Sequence, residues 1–342
     1  MPRRTASPLS LVLLGLGAFL LVLAPLLAWY VEPRAKRTPI DIDQITVFRG
    51  TGSYFDTEKI KTVHDQRLTI TRQVRGDVAD SSKKRAVWDV STSVDPDKSL
   101  PAADPHDSLQ WTLERWVTDR KTNRPVHCCG EEPYFEGEAY LKFPFDVEKR
   151  TYLWWDNTLG ATVPLTYRGP KKIQGYEGYR FTGTVKPTKT GTRQVPGRLV
   201  GLRQGQVLAE EWYANHGIEL VADKRTGRII YAAIGPRKTL RAPGGKKDRT
   251  VLLDSEKIGF TKKTQRAQVD LADDDSSRLK LVGTTLPLVS VFAGGALALV
   301  GGILVARGRE ARSNGSRGDG PGPDPKGPHS DTSPSALQHS TM

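Results

Sequence analysis

Two long uncharged stretches bracket this chain, and no other feature limits its fold as severely. Leu9–Tyr30 reads LSLVLLGLGAFLLVLAPLLAWY, 22 residues without a charge. Leu281–Ala306 reads LVGTTLPLVSVFAGGALALVGGILVA, 26 residues without a charge. About 20 apolar residues in a helix cross a bilayer core. The first stretch is longer than the apolar core of a signal peptide. It ends in Trp29-Tyr30, residues that favour the membrane–water interface, so it reads as an uncleaved anchor. Two spans put both termini on one side. The outer flanks carry Arg3, Arg4, Arg307, Arg309, Arg312 and Arg317, and the inner flanks carry Arg34, Lys36, Arg37, Arg278 and Lys280. Six against five gives little direction, but long domains translocate largely regardless of charge. The expectation is a two-pass plasma-membrane protein with cytoplasmic termini. It divides into an N-terminal anchor (1–31), an extracytoplasmic β-rich domain (32–280), a transmembrane helix (281–307) and a tail (308–342). The tail is rich in Gly, Pro and Ser and should be disordered.

Between the spans, period-two alternation dominates. QRLTITRQVRG, RAVWDVSTSVD, LQWTLERWVTD, YRFTGTVKP, QVLAEEWYA and GIELVADKRTGRIIYAAIG all place branched or aromatic residues on every second position. That is the pattern of half-buried antiparallel strands. No long amphipathic helix is evident between residues 40 and 255; a short one is expected near Asp56–Thr62. From Ser255 onward the chain has helix formers, with Val269, Leu271 and Leu279 on an apolar face. A helix should therefore lead into the second span, broken near Asp273-Asp274-Asp275. WVTDRKTNRPV (116–126) matches LVADKRTGRII (220–230) in pattern: apolar, Asp, a basic pair, Thr, then Asn or Gly, Arg and two more mostly apolar residues. Asp at the turn start and Asn or Gly at a left-handed position are hairpin chemistry. Either this is common turn chemistry, or two related β units form one curved or barrel-like sheet able to enclose an apolar cavity.

No chemistry-bearing constellation emerges. Cys128 and Cys129 are the chain's two cysteines. A vicinal disulfide, buried free thiols and an intermolecular bond all fit, while the C-x-x-C spacing of a redox enzyme is absent. His127 lacks partners at metal-ligand spacing. Glu131, Glu132, Glu136 and Glu138 fit a solvated loop as well as acid–base work, and no nucleophile elbow or phosphate loop is present. The expectation is a protein that is not an enzyme and takes no cofactor or metal. Aromatic residues crowd YLKFPFDVEKRTYLWWD, where Phe143, Phe145, Tyr152, Trp154 and Trp155 could fill a core or line an apolar tunnel.

Residues 32–280 carry 44 Lys and Arg against 34 Asp and Glu. The surplus is densest from Arg168 to Arg203, with Lys171, Lys172, Arg180, Lys186, Lys189, Arg193 and Arg198 between and Glu177 the lone acid. Outside a membrane such a face suits anionic head groups or envelope polymers rather than nucleic acid. It equally suits a solvated surface. Gly294-Gly295 and Gly301-Gly302 could let a helix approach closely, within the chain or in an oligomer.

The two-anchor layout, together with AVWDVSTSVD, LERWVTDRKTNRPVHCCG, KFPFDVEKRTYLWWD and GTTLPLV, resembles the actinobacterial PorA family. The layout is also similar, in topology alone, to class B scavenger receptors. The resemblance implies an envelope protein tied to lipid or lipoglycan assembly. The expected function is binding or passing a lipid or lipid-linked glycan, with membrane lipids and envelope-assembly proteins as partners. A scaffold subunit and an oligomeric channel are the alternatives.

Overall fold

The computed structural model describes residues 8–97 and 108–315, with side chains through Arg307. From residue 316 onward the expected disorder of the tail lies outside the described residues, whereas residues 308–315 continue the last helix. The chain forms two compact units. One holds the helix before Ala24 and the helix after Leu288; the other is Pro25–Pro287.

In the first unit, α1 (Pro8–Pro25) and α4 (Leu286–Gly315) meet along a seam of small residues. A Cβ on Gly17 would lie 2.6 Å from the Ala298 nitrogen, and one on Gly301 2.8 Å from the Leu14 nitrogen. Gly294 belongs to the same seam, whereas Gly295 and Gly302 look into open space. One glycine of each pair is thus spent inside the chain. The helices Pro8–Ala35 and Lys262–Arg307 are long and apolar enough to cross a membrane. Each contains a π turn, at Leu26–Val31 and Leu281–Thr285. Both turns stand just before a proline, Pro33 and Pro287, whose missing N–H interrupts the α ladder.

Among the described residues, the second unit is built on one antiparallel sheet of eleven strands: β1 (Asp43–Asp56), β2 (Lys61–Gly76), β3 (Arg85–Pro96), β4 (Gln110–Asp119), β5 (Tyr152–Asp156), β6 (Ala161–Ile173), β7 (Tyr176–Pro196), β8 (Gln206–Ala222), β9 (Ile229–Ile234), β10 (Pro236–Arg241) and β11 (Thr250–Phe260). The alternating segments all fall in these strands. The order is β4-β3-β2-β1-β11-β10-β8-β7-β6-β5, with β9 between β8 and β11. The chain therefore meanders out to β4, jumps through residues 120–151 to the opposite edge at β5, and meanders back to β11 beside β1.

That jump joins the two edges. Arg115 on β4 exchanges both backbone hydrogen bonds with Glu132, at 2.7 and 2.9 Å. On β5, Leu153 O accepts from Glu138 N at 2.8 Å, and Trp155 N donates to Ala139 O at 3.1 Å. The edges that would otherwise be open to other chains are covered by this one connection. Its aromatics then fill the interior. Trp116 stacks on Tyr140 at 3.7 Å, and Phe143 stacks on Phe181 at 4.6 Å.

Several local expectations are corrected. Asp56–Thr62 is a hairpin turn, not a helix, because Asp56 Oδ1 accepts from the Glu58 and Lys59 amides and closes the turn. The segment from Ser255 stays extended to Phe260, and a short helix, α2 (Glu32–Ala35), precedes β1. The helix α3 (Lys262–Lys280) begins after its cap Thr261 and runs through Asp273-Asp274-Asp275 without a break. Asp275 is held there by Arg228 at 2.9 Å. Val269, Ala272 and Leu279 are buried, and Leu271 is exposed.

Candidate functional site

The two matching sequence segments fold into matching turns. In the first, Asp119 N donates to Arg124 O and Asn123 N to Asp119 O, at 2.8 and 2.9 Å. In the second, Asp223 N donates to Arg228 O and Gly227 N to Asp223 O, at 2.8 and 3.0 Å. Each aspartate accepts from the amide and hydroxyl of the threonine three residues on. Asn123 and Gly227 are both left-handed, with φ of 58° and 74°, as the residue types require.

Both turns grip the same segment, Tyr140–Val147. Asn123 Nδ2 donates to the Tyr140 and Lys142 carbonyls at 3.2 and 2.6 Å. From the other turn, Gly227 O accepts from Phe143 N at 2.8 Å, Arg225 O from Asp146 N at 2.9 Å and Lys224 O from Val147 N at 2.8 Å. An irregular strap is thereby held as firmly as a strand. It presents Leu141, Lys142 and Phe145 to a cavity.

The cavity measures about 520 Å³. Its waist is aromatic and aliphatic, with Phe48, Trp88, Tyr140, Trp154, Ile218 and Leu220 among its walls. Of the lining residues only Ala35, Pro39 and Arg278 are exposed. They mark the open end, formed by the segment after the first apolar helix and the last turn of α3. The deep end is polar, and its carboxylates are satisfied within the protein. Asp156 accepts from Tyr213 Oη at 2.9 Å and from the Thr158 and Leu159 amides, both at 3.0 Å. Burial raises its carboxyl above the ordinary value. Behind it, buried Glu114 accepts from Trp116 Nε1 at 2.7 Å, Tyr140 Oη at 3.0 Å and Asn157 Nδ2. Trp155 Nε1, in the wall, has no protein acceptor.

The open end is cationic. Arg37, Lys142, Arg228 and Arg278 line it, with Asp275 paired to Arg228. Lys142 Nζ donates to Thr38 Oγ1 at 3.2 Å and stands 3.8 Å over the Phe145 ring. Burial, reinforced by the charge of Arg228, pulls its ammonium down to about 7. Arg37 Nε and Arg228 Nε have no protein acceptor.

Of the aromatics singled out in the sequence, Phe145, Trp154 and Trp155 line the cavity, while Phe143 and Tyr152 pack in the filled core beside Phe181. None of the nine basic residues from Arg168 to Arg203 lines it. They lie on β6, β7 and the loop to β8. Lys171 and Arg180 both reach Glu219 at 2.7 Å, Lys189 reaches Glu210 at 2.8 Å, and Arg193 pairs with Glu211. The sequence reading missed Arg37, Lys142, Arg228 and Arg278. A signal for two of them existed: Lys142 sits inside the aromatic run, and Arg228 inside the second copy of the turn.

Cys128 and Cys129 are bonded to each other, half-buried. Arg115 Nε donates to Cys129 O at 3.0 Å, while its guanidinium also gathers Asp77 at 2.7 Å, Asp89 at 2.8 Å and Asp80 at 2.5 Å. His127 stacks on Tyr134 at 4.1 Å and bonds Glu131 at 2.7 Å. Glu138 is bound by Arg150 at 2.8 Å. Among the described residues no group of three or more His, Cys, Asp or Glu could hold a metal ion.

A family model described as "Porin PorA" matches residues 9–303. No curated protein matches the chain.

Proposed function

We propose that this chain, which belongs to the PorA family by a match over residues 9–303, is an envelope membrane protein that binds or passes a lipid or lipid-linked glycan without catalysing a reaction. The observation that carries this reading is the cavity of about 520 Å³ inside the β unit. Ligand sites are concave, mostly apolar and of about 300–1,000 Å³. If a methylene takes the ~30 Å³ of a water in the liquid, the space suits one long acyl chain. Its open end includes Ala35, the last residue of the first membrane-length helix, and Arg278, three residues before the second uncharged stretch. That connectivity suits a ligand drawn from a bilayer into a domain on its outer side, with both termini in the cytoplasm. The basic strip from Arg168 to Arg203 then supplies an outer surface for anionic head groups or envelope polymers.

The family's description speaks of a porin. The two apolar helices lend a pore no support, because the Gly17, Gly294 and Gly301 seam brings them into backbone contact. Native mass spectrometry of the chain extracted in mild detergent tests the lipid reading. Copurified lipid is expected, and Ala232→Phe, which places a ring into the cavity wall, should remove it. A lipid-free wild type, or lipid retained undiminished by that variant, would count against the proposal.

A further inference from the structure

Charge is distributed unevenly in this cavity. Five basic residues line it, Arg37, Arg72, Lys142, Arg228 and Arg278, against two acids, Asp156 and Asp275. Asp156 belongs to the deep end and spends its oxygens on Tyr213 and two backbone amides. Asp275 is engaged by Arg228. Arg72 is occupied with the Thr92 hydroxyl at 3.3 Å. At the open end this leaves Lys142 facing a hydroxyl and a phenyl ring, with two arginine Nε–H groups that find no protein acceptor. A cation taken partly out of water without a counter-charge is costly. The fold nonetheless imposes this arrangement, because both turns clamp the backbone on either side of Lys142. A site that holds cations in place and supplies too few anions is complementary to an anion from outside.

We infer that the open end is an anion-recognition site, in which Lys142 and Arg37, with Arg278 and the free Nε–H of Arg228, bind a phosphate or carboxylate; the terminal nitrogens of Arg228 are held by Gln44 Oε1 at 3.2 Å and Asp275 at 2.9 Å. The anion is the head of a single-chain amphiphile whose hydrocarbon runs inward past Phe145 and Trp154. This rests on the cavity being a lipid site and adds the class of head group. Arginine supplies planar paired donors and lysine a point charge, the combination that suits an oxyanion. The orientation follows from the walls, since the apolar waist accepts the tail and the rim accepts the charge. A free oxyanion would satisfy the same rim without using the waist, so the test must separate the two.

The full chain, delipidated in detergent, is titrated with oleoyl lysophosphatidylglycerol, oleoyl lysophosphatidylcholine and inorganic phosphate, with bound states resolved by native mass spectrometry. The wild type should prefer the anionic over the zwitterionic lipid by about tenfold, a difference of ~1.4 kcal/mol. Lys142→Met should erase that preference, and Lys142→Arg should keep it, with melting temperatures confirming that both variants are folded. Equal affinity of the wild type for the two lipids, or an unchanged preference in a folded Lys142→Met, overturns the inference while leaving the lipid cavity standing. Binding of neither lipid sinks the cavity reading itself. Inorganic phosphate bound as tightly as the anionic lipid, with the same dependence on Lys142, assigns the rim to a free oxyanion and overturns the head-group assignment.

Discussion

Replacing Gly227 by alanine strikes the strap at its tightest contact. Gly227 has φ of 74°, and a Cβ there would lie 2.1 Å from the Phe143 carbonyl oxygen and 2.4 Å from that of Pro144. Those atoms are backbone and cannot rotate away, because Phe143 N, Asp146 N and Val147 N are all tied to the same turn. Three costs combine. The left-handed conformation costs an L-residue roughly 1–2 kcal/mol. Overpacking adds about 1–3 kcal/mol. Loss of the Phe143 N to Gly227 O bond adds about 1 kcal/mol. The total is about 3–6 kcal/mol. Gly244 provides the control: its φ is 67°, but a Cβ there would meet nothing within 4 Å, so its alanine variant should lose only about 1–2 kcal/mol. At ~2–4 °C per kcal/mol for a domain of this size, Gly227→Ala should melt roughly 6–24 °C below the wild type, and Gly244→Ala roughly 2–8 °C below. Near-ultraviolet circular dichroism, which reports the packed Trp and Tyr side chains of the strap and β5, is the assay. Equal shifts in the two variants would refute the claim that the turn clamps the strap.

Glu114→Ala should cost on the order of 3 kcal/mol or more, because the buried Trp116 and Tyr140 donors lose their acceptor; a denaturant midpoint within error of the wild type would contradict this. Gly294→Ile should break the α1–α4 seam and Gly295→Ile should not, since only the first faces α1; cysteine crosslinking between the helices in membranes distinguishes them. Lys142 titrates near 7 when folded and near 10.5 when unfolded. The unfolded chain therefore binds more protons between those values, and stability should rise with pH across that window and level off above it. Lys142→Met should flatten that rise in melts recorded from about pH 7 to 10. Replacing Cys128 and Cys129 by serine should cost about 1–3 kcal/mol and leave the cavity's lipid occupancy intact, as neither lines it. Loss of occupancy without loss of stability would make the pair functional.

The sheet was readable because its chemistry is periodic. Each alternating segment carries its own statement of which face is buried, and the strands fall where those segments lie. The paired turns were readable for a related reason, since Asp, Thr and a left-handed Asn or Gly each have a local geometric task. Asp56–Thr62 misled because an Asp ahead of Thr-Glu-Lys resembles a helix cap, and the same carboxylate closes a hairpin instead. The acidic run in α3 suggested a break, but repulsion among Asp273, Asp274 and Asp275 is relieved by a cation from β9's turn, Arg228, 47 residues away. Contacts at that distance leave no periodic trace.

The same limit explains why the charge count pointed to one surface and the cavity uses another. Counting along the chain finds clusters, and the densest cluster lies on neighbouring exposed strands. There β8 supplies Glu210, Glu211 and Glu219 as cross-strand partners, so much of the local surplus is answered by the sheet itself. The cavity's rim draws single cations from four places: the segment before β1, the strap, the second turn and the end of α3. None stands out among its sequence neighbours. Their meeting comes from the connection that crosses from β4 to β5, which brings Lys142 to the same cavity and contributes neither of the two acids that line it. A net charge of +13 states how much positive charge the chain carries. On the reading proposed above, what would recognise a ligand is the small part of it that the topology leaves short of protein partners.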